Sequence, residues 1–376
     1  MSHNRTLLER PLRLAALALL PLSLAAAGGA CSEAVLKDPG ALPDSGISGL
    51  DAGDDVVIPV NDGGDEPVDA GSIPVTKDVT IIVEPSDKGQ ALIDSMKNAK
   101  KSLHVTMYLL TGSSFINAIK DAHTAGRDVK VVLNQNFPFG GNQNQSAYDS
   151  LKAAGVDVVW APSAYTFTHA KTVIVDGTTA WIMTMNMTFS SPTDNREYLA
   201  IDTDPADVAD LETIFDADRR NAAVQVRGTL LVAPATATPV DPRQRLRQFI
   251  DSAVTSIELE GETFSDDVIT AALIATKKRG VNVRVVLDGA NAPTPAQADA
   301  VKALKASGIP VMGVKTPDIH SKAIVVDGKR AYVGSINFTT TSMLQNHEVG
   351  LIFEKDSEVK KVQDAIVADF GAGTAL

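Results

Sequence analysis

Two short polar patterns, His169-Ala170-Lys171 and His320-Ser321-Lys322, sit at the start of β-branched runs that end in Asp-Gly. Counting from each histidine, lysine lies at +2 (Lys171, Lys322), aspartate at +7 (Asp176, Asp327), asparagine at +17 (Asn186, Asn337) and glutamate at +28 (Glu197, Glu348). Residues two apart on a strand share a face, so each His and Lys point the same way. An Asp-Gly turn folds the strand back and returns the asparagine to the same neighbourhood. Each copy then presents an imidazole, an ammonium and a carboxamide together. A phosphodiester is the substrate that best explains this set: Lys and Asn neutralise and hold its oxygens, and an imidazole attacks phosphorus or protonates a leaving oxygen near neutral pH. One copy fills one of those two roles; the second copy supplies the other.

The elements that must position these groups also come twice. T-I-I-V-E-P (80 to 85), a helical segment from Gln90 and S-L-H-V-T-M-Y correspond to L-L-V-A-P (230 to 234), a helix begun by Asp241 and Pro242, and S-I-E-L-E-G-E. D-V-K-V-V-L-N (128 to 134) corresponds to N-V-R-V-V-L-D (282 to 288), and S-L-K-A-A-G-V-D-V (150 to 158) to A-L-K-A-S-G-I-P-V (303 to 311). Alternating strands and helices of these lengths predict an α/β fold, built as two pseudo-twofold-related α/β/α layered halves with largely parallel strand pairing.

The two copies resemble the H-x-K-x4-D-x6-G-S-x-N signature of the phospholipase D superfamily, from roughly residue 79 to the end. That resemblance implies one active site at the interface of the halves, with no cofactor and no metal. It implies His169 as nucleophile and His320 as general acid and base. Lys171, Lys322, Asn186 and Asn337 would hold the non-bridging oxygens, and Glu197 and Glu348 would orient the imidazoles. Asp176 and Asp327 would shape the turns. The second copy carries the expected Gly334 and Ser335, whereas the first has Met183 and Thr184. Thr184 keeps the hydroxyl; Met183 is expected to fill space the family leaves open and to mark where this half-site differs. The implied activity is hydrolysis of phospholipid head groups, with a phospholipid or membrane surface as partner and a monomer containing an internal pseudo-dimer. Alternatives are a secreted nuclease, a phosphatidyl transferase of the cardiolipin synthase kind and a non-catalytic phosphodiester-binding protein.

The 376 residues, 44% of them hydrophobic, suffice for a large core. Residues 1–31 read as a lipoprotein-type signal: Arg5, Arg10 and Arg13 precede an apolar run from Leu14 to Ala27, and Cys31, the only cysteine, follows Gly28-Gly29-Ala30. The chain is therefore expected to be exported and lipid-anchored at Cys31 in a bacterial envelope, or alternatively secreted. No later stretch is long and apolar enough for a membrane-spanning helix. Residues 32–77, rich in Asp, Gly and Pro, read as a disordered acidic linker. They hold much of the net charge of −12, leaving the two halves, 78–222 and 223–376, mildly acidic when taken together. Such a balance lacks the basic footprint of a protein that tracks nucleic acid.

Other candidates are assigned to structure. His104 is expected to face solvent or pack at an edge, His123 to lie near a helix end and His347 on the cleft rim or surface. The loop 134 to 146, with Phe137 and Phe139, follows a strand where ligand loops occur or anchors to the core. Asp204 to Asn221 is expected to form a solvated connecting helix.

Overall fold

The structure is a computed structural model that describes residues 73–376 except 139, 223–225, 227 and 235–240. Cys31, the signal and most of the linker therefore lie outside the described residues, as does Phe139. The first half comprises β1 (Val79–Glu84), α1 (Gln90–Lys97), β2 (Ser102–Met107), α2 (Ser113–Thr124), β3 (Asp128–Leu133), α3 (Gln145–Ala153), β4 (Asp157–Trp160), β5 (Lys171–Val175), β6 (Thr179–Met183), α4 (Ser191–Asp194), β7 (Asn195–Asp202) and α5 (Pro205–Arg220). The second comprises β8 (Leu231–Ala233), α6 (Pro242–Asp251), β9 (Ser256–Gly261), α7 (Asp267–Lys278), β10 (Asn282–Asp288), α8 (Pro295–Ala306), β11 (Val311–Val314), β12 (Asp318–Ile319), β13 (Lys322–Val326), β14 (Arg330–Gly334), α9 (Thr340–Leu344), β15 (Glu348–Phe353), α10 (Asp356–Ala372) and β16 (Thr374–Ala375).

The repeat is visible in the strand order. One sheet runs β1-β7-β6-β5-β2-β3-β4, and the other runs β8-β15-β14-β13-β9-β10-β11 with β16 added at its edge. Along these two orders β2-β3-β4 and β9-β10-β11 pair parallel and the other described neighbours pair antiparallel; off the path, the two-residue β12 pairs parallel with β7. This corrects the expectation of largely parallel sheets. A two-residue turn joins only antiparallel strands, so each motif hairpin forces half of its sheet into that arrangement.

Those turns explain their sequence. Asp176 and Gly177 have φ of 59° and 65°, and Asp327 and Gly328 have 56° and 63°. Left-handed geometry at both central residues matches the twist of the flanking strands. The aspartates tolerate it because their carboxylates are fully used. Asp176 accepts from the backbone N–H groups of Lys100, Lys101 and Ser102, and Asp327 from those of Val254, Thr255 and Ser256. Burial would raise both carboxyls, but these backbone donors hold them below the usual range.

Three cores stack across the molecule. Helices α1, α2 and α3 bury Leu92, Met96, Phe115, Ile119 and Leu151 on the outer face of the first sheet. Helices α6, α7, α8 and α9 do the same on the second with Leu246, Phe249, Leu273, Leu304 and Met343. Between the sheets lies a shared core of Ile174, Ile182, Ala200, Val325, Val333 and Leu351, flanked by α5 (Leu211, Ile214, Phe215) and α10 (Val359, Val362, Ile366). The helix read as a solvated connector is thus a central-layer element: its i, i+3, i+4 apolar positions face the sheet despite its charge. The folded body also begins before residue 78. Ile73 joins the outer core of the second half, and Thr76 bridges to Phe353 and donates to Asp207. Both belong to the tract read as linker, whose scattered apolar residues lack a period that could have marked them.

Met183 lies in the outer core of the first half, fully buried beside Leu199, its partner across β6 and β7. The matching pair in the second half is Gly334 and Gly350. A Cβ on Gly334 would meet Gly350 Cα at 2.4 Å and Tyr332 Oη at 2.9 Å. The tyrosine therefore occupies that volume in one half, and Met183 with Leu199 fills it in the other. Trp181, at the tyrosine's repeat position, instead donates its indole N–H to Ser95. The departure from the signature is an exchange within the core and does not alter the cleft. Met183→Ala should cost about 3 kcal/mol of stability, read by denaturant melts, with kcat/KM measured well below Tm left at the wild-type value; a changed KM would return Met183 to the cleft.

Candidate active site

The motif hairpins meet where β6 and β7 pack against β14 and β15. The approach to each histidine is pinned to the other half. Thr168 bridges to His347, and the N–H groups of His169 and Ala170 donate to the His347 carbonyl at 2.8 and 2.9 Å. In the mirror arrangement β12, just before His320, pairs with Asn195 and Arg196 of β7. This exchange sets each imidazole beside a carboxylate from the opposite half. His169 Nδ1 lies 2.9 and 3.0 Å from the Glu348 oxygens, and His320 Nδ1 lies 2.8 Å from Glu197 Oε1.

All four side chains are buried, the two glutamates completely. Burial would raise the Glu348 carboxyl, yet His169 foremost, then Lys171 and the Ser335 hydroxyl, hold it below the usual range. Ser342 and Asn346 also donate to Glu348 Oε1. Glu197 accepts from the Thr184 hydroxyl at 2.5 Å and from the Asn195 amide at 3.2 Å. A carboxylate accepting Nδ1–H fixes the ring's orientation and leaves the lone pair of the neutral imidazole on Nε2.

The lysines are buried on the same hairpins. Lys171 Nζ donates to the His169 carbonyl at 2.8 Å and Lys322 Nζ to that of His320 at 2.6 Å. Asn186 is buried just past β6, in a segment locked where Leu110 bridges to Met187; Asn337 is half-buried in the matching segment, where Phe264 bridges to Phe338. The structure thus pairs His169 with Glu348 and His320 with Glu197, sets Lys171 and Lys322 on the same hairpins and places Thr184 and Ser335 behind the glutamates, while Asn186 and Asn337 follow the return strands. Asp176 and Asp327 stay at the far turns.

Two flanking residues were missed from the sequence. Tyr108 packs edge-on against His169, ring centroids 4.5 Å apart, with Lys171 Nζ 4.7 Å from its ring centre. Glu262 places Oε2 2.8 Å from Lys322 Nζ and 3.7 Å from His320 Nε2. Each is the first residue after its strand, β2 or β9, so laying the repeats in register would have paired them. Phe137 lies in a small buried cluster with Tyr108, Leu109 and half-buried Phe167.

His123 lies in the last turn of α2, as expected, whereas two other histidines differ from their expected settings. His104 is nearly buried, its Nδ1 2.7 Å from Glu212 and its ring stacked on Phe215. His347 is fully buried, with Asp218 and the Ala233 carbonyl each 3.0 Å from a ring nitrogen and Tyr165 stacked on it. Burial would lower its pKa, but Asp218 raises it on balance. Arg196, at the same repeat position, pairs bidentately with Asp369 and reaches the Glu84 carbonyl. Both residues tie the strand that carries the orienting glutamate to a central helix, which a solvated position could not do.

Beneath the site, Tyr198 and Ser321 donate to Glu260 Oε2 at 2.8 and 2.7 Å. Burial, with Asp369 nearby, pushes the Glu260 carboxyl up to about 8.

The halves thus form one arrangement of crossed imidazole–carboxylate pairs, each with a buried lysine on the same hairpin. The family described as "Cardiolipin synthase, PLD-like domain" matches residues 92–219 and 246–369, and the chain belongs to this phospholipase D-like family. A phospholipase D of Rickettsia bellii is 37% identical over 111 residues, 29% of this chain and 54% of that protein. A probable cardiolipin synthase of Bacillus subtilis is 23% identical over 320 residues, 72% of this chain and 62% of that protein. The chain spans about half the length of the phospholipases D it matches. Among solved structures, phosphatidylserine synthase of Haemophilus influenzae superposes with a TM-score of 0.61 at 12% identity, covering 81% of this chain and 90% of that one, a likeness of fold.

Two outcomes check this geometry. Glu348→Gln should lower kcat on a chromogenic aryl phosphodiester by about 100-fold, because the carboxylate that orients His169 is lost; unchanged turnover would deny Glu348 that role. Glu260 has a raised folded-state pKa, so the fold retains a proton that the unfolded chain releases, and stability falls as pH rises from the unfolded value of 4.5 towards about 8. Thermal melts of Glu260→Gln should therefore show a gain over wild type above pH 8, on the order of 2–4 kcal/mol, that vanishes at pH 4.

Proposed function

We propose that this chain is a phospholipase D-type phosphodiesterase that hydrolyses phospholipid head groups through a phosphohistidine. In this reading His169 Nε2 attacks phosphorus while the bond to the head-group oxygen breaks and His320 donates the proton to the departing alcohol. Water then attacks the phosphohistidine, His320 takes its proton, and phosphatidic acid leaves with His169 restored. Lys171, Lys322, Asn186 and Asn337 offset the charge of the phosphoryl oxygens throughout, and no step calls for a metal.

The observation that carries this reading is the crossed pairing of His169 with Glu348 and His320 with Glu197, which gives both imidazoles the same fixed presentation. A lipid is favoured by the relatives named as phospholipases D and by Phe189, 85% exposed three residues beyond Asn186, an apolar group suited to a membrane interface. The mildly acidic body argues against nucleic acid. Residues 1–31 support export with an anchor at Cys31.

The test presents the purified chain with vesicles of phosphatidylcholine, phosphatidylethanolamine, phosphatidylglycerol or cardiolipin, and with single-stranded DNA, each with and without a chelator. Chelator-insensitive head-group release, abolished in His169→Ala and His320→Ala, is expected. Production of cardiolipin from phosphatidylglycerol would make the chain a transferase, and DNA nicking without lipid turnover would make it a nuclease. In the cell envelope, Cys31→Ser should move the protein from the membrane to the soluble fraction.

A further inference from the structure

The two halves repeat their histidines, lysines and orienting glutamates, but the walls around them differ systematically. Tyr108 lies against His169 and Lys171, and at its repeat position Glu262 lies against Lys322 and His320. Two residues before His169 is Phe167; two before His320 is Asp318. The first pair joins a buried aromatic cluster with Phe137 and Leu109. The second approaches further carboxylates. β12 sets Asp318 opposite Asn195, next to Asp194, and packs against β10, whose last residue is Asp288. Asp318 is held above the ordinary range by burial first, then by Asp288 and Asp194.

We infer that the cleft is polar at one end and apolar at the other, and that Glu262 makes the His320 end a pocket for a cationic leaving alcohol, such as a head group bearing an ammonium. This rests on the proposed phospholipase reaction, in which the alcohol departs beside His320.

The argument is one of charge. A phosphodiester needs cations around its oxygens, and a carboxylate at 2.8 Å from Lys322 works against that need. A group placed there at such a cost has a use that the phosphate does not supply. When phosphate oxygens take up Lys322, the half-buried carboxylate of Glu262 loses its partner, at a cost that grows as bound substrate excludes water from it. An ammonium on the leaving alcohol replaces that partner. An anionic or neutral head group leaves Glu262 facing the phosphate. At the other end, the ring of Tyr108 with Phe137 and Phe167 provides an apolar wall for the part of the lipid that stays on His169.

The test compares kcat/KM of wild type and Glu262→Gln on vesicles with the same neutral matrix and interfacial density of phosphatidylethanolamine, phosphatidylcholine or phosphatidylglycerol. Wild type should favour the two cationic head groups over glycerol by about tenfold or more, the size expected of one charge-assisted contact. In Glu262→Gln that ratio should collapse to about one. Asp318→Asn should reduce the ratio in the same direction and keep it above that of Glu262→Gln. Lipid turnover with no preference in wild type, or an equal loss on all three lipids in Glu262→Gln, would overturn this inference and leave the phospholipase reading standing. No turnover of any lipid would overturn both.

Discussion

Each motif histidine owes its orientation to a carboxylate from the opposite half, and most of the architecture follows from that exchange. For Glu348 to reach His169, and Glu197 to reach His320, the two sheets must abut through their hairpin strands. The segments before the histidines must also pair across the interface. Burying two glutamates in the middle of a protein is expensive unless each is paired and hydrogen-bonded. Here each has an imidazole, a hydroxyl and an asparagine amide. Each glutamate thus takes its imidazole from the opposite half and its hydroxyl and amide from its own.

The same logic recurs one residue back. Arg196 and His347 each precede an orienting glutamate and each pairs with an aspartate on a central helix, Asp369 on α10 and Asp218 on α5. The central helices thereby fix the strands from inside, while the apolar cores hold the sheets from outside. A permanently charged guanidinium serves one half and a titratable imidazole the other. The duplicated geometry is conserved within the chain, and the chemistry that maintains it is not.

Asymmetry appears where the halves need not agree. The glycine of the signature is dispensable in the first half because Met183 and Leu199 replace the ring that Tyr332 inserts in the second. That exchange stays in the core. The exchange of Tyr108 for Glu262 lies beside the motif histidines, and there it sets an aromatic ring against one and a carboxylate near the other.

Much of this was legible in the amino-acid order. The double pattern of His, Lys, Asp, Asn and Glu, the α/β alternation and the Asp-Gly turns all rest on local spacing, because strand period and turn geometry act over a few residues. That spacing nominates eight candidate residues, and the structure places the histidines beside the glutamates. Which glutamate serves which histidine could not be read from it, since that depends on a fold repeat docking face to face with its copy. The burial of His104 and His347, the packing of the charged helix α5 and the core position of Met183 were hidden for a related reason. Each is decided by a partner far away in sequence: Glu212, Asp218, the first sheet and Leu199. Local residue type specified what each element could be, and tertiary packing decided which face of it met water, core or substrate.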